Sequence, residues 1–360
     1  MASAPRFGGE LPAGADIITR TGDDQDDARM RDMLAFSHGR AALGWYLDRN
    51  PEIRWVFLCR YTCPTVPAFL SRYALRLRYF DIGASADKIT ATVRKMDGAG
   101  LILVPALFGR DPWLDVADLA HRFGNSVHII IDAAQTAFGH EDYAAPEPGA
   151  VLSCPRKACA LGGGAFLRLN KVTDVDRDSV AALPDAAAAA AQKRQARALF
   201  RTGDPADESA ARDLVHESEK TWPDTPHRMD EVDRALFLTI NGQRHRLRRR
   251  VNAARLMARM TSIDITFPAV LAGQHGVPFN FPVLLPPAID RANLLTRLQD
   301  RRVFATPLWP VVGGEIGGDA RDYPITATYC KRLVALPVDQ RFETEDMDEI
   351  ADRFIACLSN

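Results

Sequence analysis

From Arg54 to Leu169 the chain alternates short apolar, β-branched runs with amphipathic stretches, and few folds accommodate that rhythm. WVFLC is followed by TVPAFLSRYAL, LRYFDI by KITATVRKM, and LILVPAL by PWLDVADLAHRFG; HIIIDA, AVLSC and GAFLRL then follow closely. Near-continuous apolar runs are the mark of strands buried on both faces, and the stretches between them are long enough for helical crossovers. The pattern predicts a doubly wound α/β domain with a mostly parallel sheet between helices.

Flanking segments read differently. MRDMLAFSHGRAALGWYLD has helical spacing interrupted at His38-Gly39-Arg40. After Leu169 the text turns helical, through an Ala-rich segment from Asp185 to Phe200 and a charged stretch to Lys220, and breaks at Trp222-Pro223-Asp224-Thr225-Pro226. A long helix-like segment from Glu231 to Met260 leads into PFNFPVLL, a helix around NLLTRLQDR, ATPLWP and a terminal helix near EDMDEIADRF. The expected division is an N-terminal arm over 1–30, a large domain over 31–240 and a smaller C-terminal α+β domain over 241–360.

With 45 Lys+Arg against 46 Asp+Glu, the chain has no general attraction for nucleic acid or an anionic membrane. The Arg244 to Arg250 run lies inside a helical pattern and reads as a solvated face or an inter-domain contact. No apolar stretch is long enough to span a bilayer and the start has no secretory pattern, so cytoplasm is the expected compartment. The six cysteines include the pairs Cys59/Cys63 and Cys154/Cys159, which lack histidines at zinc-ligand offsets and read as core or near-site thiols. No metal is expected.

No GxGxxG opens a helix after the first strand, and Gly39 to Gly44 lacks the Lys-Ser/Thr of a phosphate-cradling loop. The chemistry instead sits in a pair. Asp132 ends the strand of HIIIDAAQTAFG, and Lys157 follows the next strand in AVLSCPRKACALGGGAF, so both emerge at the carboxyl edge where open α/β sheets bind ligands. A strand-end aspartate alone often caps a helix, and a lysine alone is often solvated. Together, with Gly162-Gly163-Gly164 permitting close backbone approach, they suit pyridoxal phosphate. That cofactor needs a lysine to hold it as a Schiff base and a carboxylate to keep its ring nitrogen protonated.

At these residues the sequence resembles the DegT/DnrJ-type sugar aminotransferases of the aspartate-aminotransferase fold, from about Phe36 to the C-terminus. SHGRAALGWYL resembles their Ser-Gly-Thr-Ala-Ala-Leu helix start, VPALFG their Val-Pro-Val-His-Leu-Tyr-Gly, and DAAQTAFG their Asp-Ala-Ala-Gln/His. SCPRK with GGG, PHRMDEVDRALFL and LPVDQRFETEDMDEI match further segments in the family's order. The resemblance implies that Lys157 carries the cofactor, Asp132 pairs with the ring nitrogen and Gln135 sits near the 3-oxygen. It implies that Ser153 and the backbone N–H groups of Gly39, Arg40 and Ala41 hold the phosphate, and that Tyr61 and Cys63 lie against the ring. It further implies a homodimer, with His227 and Arg228 on a loop reaching the partner's site and Trp309 on the substrate side.

Three departures are specific to this chain. Arg40 replaces the family's Thr or Ser, Cys63 stands where a stacking aromatic is usual, and Pro226 aligns with the asparagine normally sent to the partner's phosphate. The expected activity is transfer of an amino group, with glutamate as donor, to a keto-sugar-like small molecule. Two alternatives stay open: elimination or dehydration on the same cofactor, and a cofactor-binding regulatory or scaffold protein. The dehydratase branch carries histidine where this chain has Lys157.

Overall fold

The computed structural model describes residues 6–8, 11, 30, 32–136, 138, 142–201, 204–261, 263, 265–268, 275–309 and 321–358. Most of the expected 1–30 arm therefore lies outside the described residues. In chain order the elements begin with β1 (Phe7–Gly8), β2 (Met33–Phe36), α1 (Gly39–Arg49), β3 (Trp55–Cys59), α2 (Thr65–Leu70), β4 (Arg76–Phe80), α3 (Ala86–Val93), β5 (Gly100–Pro105) and α4 (Val116–Phe123). They continue with β6 (Val127–Ala133), β7 (Gly149–Ser153), β8 (Ala165–Arg168), α5 (Asp174–Ala181), α6 (Ala187–Phe200), α7 (Pro205–Thr221), α8 (Glu231–Thr239) and α9 (Gly242–Met260). The last are β9 (Phe281–Leu284), α10 (Arg291–Asp300), β10 (Val303–Phe304), α11 (Pro324–Arg332), β11 (Leu333–Leu336) and α12 (Thr344–Leu358).

Seven strands form one sheet in the order β2-β8-β7-β6-β5-β3-β4. The ladder from β7 through β4 is parallel, and β8 pairs antiparallel with both β7 and β2. Central β3 and β5 are buried at every residue, whereas edge strand β4 alternates exposed and half-buried positions. The crossover helices start on recognisable caps: Ser85 accepts the Lys88 N–H at 3.2 Å, Asp115 accepts the Asp118 N–H at 3.0 Å, and Thr173 forms a capping box with Asp176.

Two segments differ from the sequence expectation. Met33–Phe36 is a strand rather than part of a helix, because it pairs in register with β8, Met33 opposite Arg168. The long segment after Glu231 is two helices, broken at Ile240, where the Asn241 side chain accepts the Arg244 N–H and starts α9. In the arginine run, Arg246 pairs with Asp142, and buried Arg249 donates to Gln340 Oε1 at 2.7 Å and the Phe279 carbonyl at 2.8 Å. The run thus ties α9 to other parts of the chain.

A separate apolar core gathers Leu256, Met260, Val283, Leu294, Val334 and Ile350, and Phe7 belongs to it because β1 pairs in parallel with β10. All six cysteines are free thiols, and four of them are buried. No helix among the described residues is long and apolar enough to cross a membrane.

Candidate active site

The carboxyl ends of β2, β3, β5, β6 and β7 open onto one cavity of about 640 Å³, lined among others by Asp132, Lys157, Gln135, Arg40, Cys63 and Trp309. Asp132 is the penultimate residue of β6; its Oδ1 accepts the Ala134 N–H at 3.0 Å. Burial pushes its carboxyl above the usual range, while the Lys157 charge and that N–H pull the other way. Lys157 closes a 3-10 turn (Pro155–Lys157) after β7, its own N–H donating to the Cys154 carbonyl at 3.0 Å. Because β6 and β7 are parallel neighbours with Asp132 opposite Leu152, the turn after β7 brings the lysine to the aspartate's side of the sheet.

Gln135 is buried, and its Oε1 accepts the Phe108 N–H at 2.7 Å, which directs its –NH2 as a donor. That bond also supports Phe108 in a left-handed backbone conformation, φ 57°. Gly39 and Arg40 begin α1 at the cavity wall, and a Cβ on Gly39 would stand 3.0 Å from Cys154 Sγ. Arg40 makes no ion pair among the described residues.

Three expectations need correction. The Ala41 N–H is not available to a phosphate, since His38 Nδ1 accepts it at 2.9 Å. Ser153 is 1% exposed with its hydroxyl buried, because alternation along β7 turns it to the face opposite Leu152 and Cys154, which line the cavity instead. Tyr61 is wholly buried in the core, donating to the Leu308 carbonyl at 2.6 Å and contacting the Trp309 and Tyr329 rings; Thr62 and Cys63 face the cavity in its place. His227 and Arg228, expected to reach a partner's site, lie off this subunit's own cavity: the His227 carbonyl accepts the Ser37 N–H at 3.0 Å, and Arg228 pairs with Asp185 and Glu231.

The three glycines after Lys157 also serve packing rather than a ligand. A Cβ on Gly162 would meet the Ala190 carbonyl oxygen at 2.2 Å, and Gly162 and Gly163 donate to the two oxygens of buried Asp233 at 2.9 and 2.7 Å. Sequence reasoning missed His38, Arg156, Lys193, Arg197 and Glu219, all on the cavity wall. The signal for His38 was its place just before an apolar helix start; the α6 and α7 residues offered none.

A mostly parallel sheet with a lysine and an aspartate at the carboxyl ends of adjacent strands is the arrangement expected of the aspartate-aminotransferase fold. The sequence model of the DegT/DnrJ/EryC1/StrS aminotransferase family matches residues 174–355, and the chain belongs to that family. Among solved structures, Spr1654 from Streptococcus pneumoniae in its PMP form matches with TM-score 0.67 and 12% identity, covering 99% of each chain. The sugar aminotransferase CalS13 from Micromonospora echinospora matches with TM-score 0.63 and 17% identity over 97% of this chain and 93% of its own. DesI, solved in the presence of its TDP-sugar product, matches with TM-score 0.66 and 17% identity over 95% and 86%. At these identities the likeness carries the fold. Among curated proteins none matches.

Proposed function

We propose that the chain is a pyridoxal-phosphate-dependent aminotransferase that moves an amino group from glutamate onto a keto group of a sugar or sugar-like small molecule. The observation that carries this reading is the pair Lys157 and Asp132 on one cavity, with the lysine's charge bearing on a carboxylate otherwise pushed up by burial. The neighbours named as sugar aminotransferases support the acceptor class.

The residues present fit the cofactor. When bound, it supplies an aldehyde for amine exchange and a ring that draws electrons from the donor's α-carbon. Lys157 Nζ would hold it covalently and serve as the group that moves the donor's α-proton, from a position set by the turn Pro155–Lys157. Asp132, with one oxygen tied to the Ala134 N–H, would keep the proton on the ring nitrogen. The Gln135 –NH2 suits the 3-oxygen, and Thr62 and Cys63 wall the cavity where a stacking aromatic is usual. Arg40 and the start of α1 suit the phosphate, since a guanidinium offers charge-assisted bonds roughly twice as strong as neutral ones. Replacing Arg40 with Ala is expected to weaken cofactor affinity by about ten- to a hundredfold. We further propose a homodimer in which the loop of His227 and Arg228 reaches the partner's site, with Trp309 on the acceptor side; sedimentation that shows an active monomer refutes it.

The test of the main reading is chemical. Borohydride reduction of protein incubated with pyridoxal phosphate should leave an adduct on the peptide containing Lys157, and glutamate should release 2-oxoglutarate in a single half-reaction. A Lys157→Ala protein that still forms the adduct overturns the assignment.

A further inference from the structure

The cavity wall beside Lys157 carries charges to which the proposed chemistry gives no role. Arg156 immediately precedes Lys157 in the turn after β7, Lys193 lies on α6, and Glu219 lies in the last turn of α7. Glu219 Oε1 is 3.3 Å from Lys193 Nζ and 3.4 Å from Arg156 Nη1. Arg40, from the start of α1, also bears on this carboxylate, and all four side chains line the cavity. Burial opposes the charged form of Glu219, yet Arg156, Lys193 and Arg40 together outweigh it and hold the carboxyl down to about 2.

The exposures are unequal. The Lys193 and Arg156 side chains are 3% and 13% exposed, whereas Glu219 is 42% exposed. Arg156 is further fixed by packing over the Trp222 ring, 5.5 Å from its centroid, and its carbonyl accepts from Arg197 Nη2 at 2.9 Å. The cations are built into the wall, and the carboxylate is the partner with room to leave. A carboxylate brings one charge and two oxygens. A phosphate monoester brings close to two charges and three acceptor oxygens, a better match for two guanidinium groups and an ammonium converging from three elements.

We propose that Arg40, Arg156 and Lys193 form a seat for a phosphate-monoester dianion within one subunit, and that Glu219 is its internal competitor, yielding the cations when the phosphate binds. The phosphate is either the cofactor's own ester or a phosphate on the substrate; the proposal rests on the reading above only in taking this cavity as the reaction site.

Inorganic phosphate is the first probe, titrated calorimetrically into the full chain with and without pyridoxal phosphate. Glu219→Gln removes the competing charge and is expected to tighten phosphate binding about tenfold, while Lys193→Gln weakens it about tenfold or more. The opposite signs matter, because a purely structural ion pair gives no gain on breaking it. Phosphate affinity that is unchanged or weaker in Glu219→Gln overturns the proposal, and that half-exposed position decides the matter even where a Lys193 variant fails to fold. Phosphate that competes with pyridoxal phosphate, with pyridoxal itself insensitive to Glu219→Gln, assigns the seat to the cofactor's ester. Phosphate that binds the loaded protein with the same variant dependence assigns it to a substrate. A missing Lys157 adduct alongside the opposite-signed phosphate response sinks the cofactor reading and leaves the seat standing; an adduct with a flat phosphate response does the reverse.

Discussion

His38 caps the helix that opens the cavity: its Nδ1 accepts the Ala41 N–H at 2.9 Å, and its Nε2 lies 3.2 Å from the Pro223 carbonyl oxygen. An Nδ1 that accepts leaves the ring proton on Nε2, which donates to Pro223, so the neutral ring satisfies both neighbours and a second proton breaks the cap.

Acid should therefore cost this protein stability through His38. Burial, aided by the Arg156 and Arg40 charges, lowers the His38 imidazole to about 3. An unfolded histidine titrates near 6.5, so as pH falls from about 6.5 towards 3 the unfolded chain takes up a proton that the folded chain refuses. The loss at pH 5 is about 2 kcal/mol. Denaturant midpoints at pH 7 and pH 5 measure it, and His38→Ser, whose hydroxyl can still cap, should show a shallower loss. An identical acid loss in that variant would mean another group is responsible.

Asp132→Asn is expected to retain the Ala134 contact and bind the cofactor, while turnover drops by about a thousandfold or more because a neutral ring is a poor electron sink. Absorbance reports cofactor retention, and the glutamate half-reaction reports rate. Near-normal turnover would point to a different carboxylate.

Tyr61→Phe deletes the 2.6 Å bond to the Leu308 carbonyl but keeps the ring packed against Trp309. That bond holds a turn in which Leu308 and Trp309 both have positive φ, 27° and 47°. A stability loss of about 1 kcal/mol is expected, with acceptor KM raised several-fold and the glutamate half-reaction unchanged. A slowed half-reaction would instead place Tyr61 against the reacting group.

Gly162→Ala should be severe, at about 3 kcal/mol or more, because its Cβ would stand 2.2 Å from the Ala190 carbonyl oxygen and α6 must move away. Gly124→Ala is a useful contrast: nothing lies within 4 Å of a Cβ there, and only the backbone strain of φ 53° and ψ −141° remains, about 2 kcal/mol. Thermal melts of equal depth for the two would contradict the packing account.

The sheet was legible in the sequence because β3, β5 and β6 are buried on both faces and so are written as unbroken apolar runs. Asp132 and Lys157 were legible for a related reason, as polar residues at the ends of such runs. β2 was not: MLAF runs directly into a helix start, and its strand character depends on pairing with β8, far along the chain. Tyr61 and Ser153 were near the right place but on the wrong side, since one step along an extended chain exchanges core for cavity. Lys193 and Glu219 lie in charged helices that read like solvated faces; only the packing of α6 against α7 brings them to one cavity.

The pairing of Phe7–Gly8 with Val303–Phe304 has a kinetic side. Gly8 and Leu11 belong to the cavity wall, yet the strand that anchors them leaves the ribosome only after about 300 further residues have been made, and closing a loop of that length costs on the order of 5 kcal/mol of chain entropy. The sheet with Asp132 and Lys157 can assemble during synthesis, whereas the wall that completes the pocket closes only after translation of β10. A fusion partner placed ahead of Phe7 would compete with that last step, so tagged protein can be folded in bulk and still have an unfinished pocket.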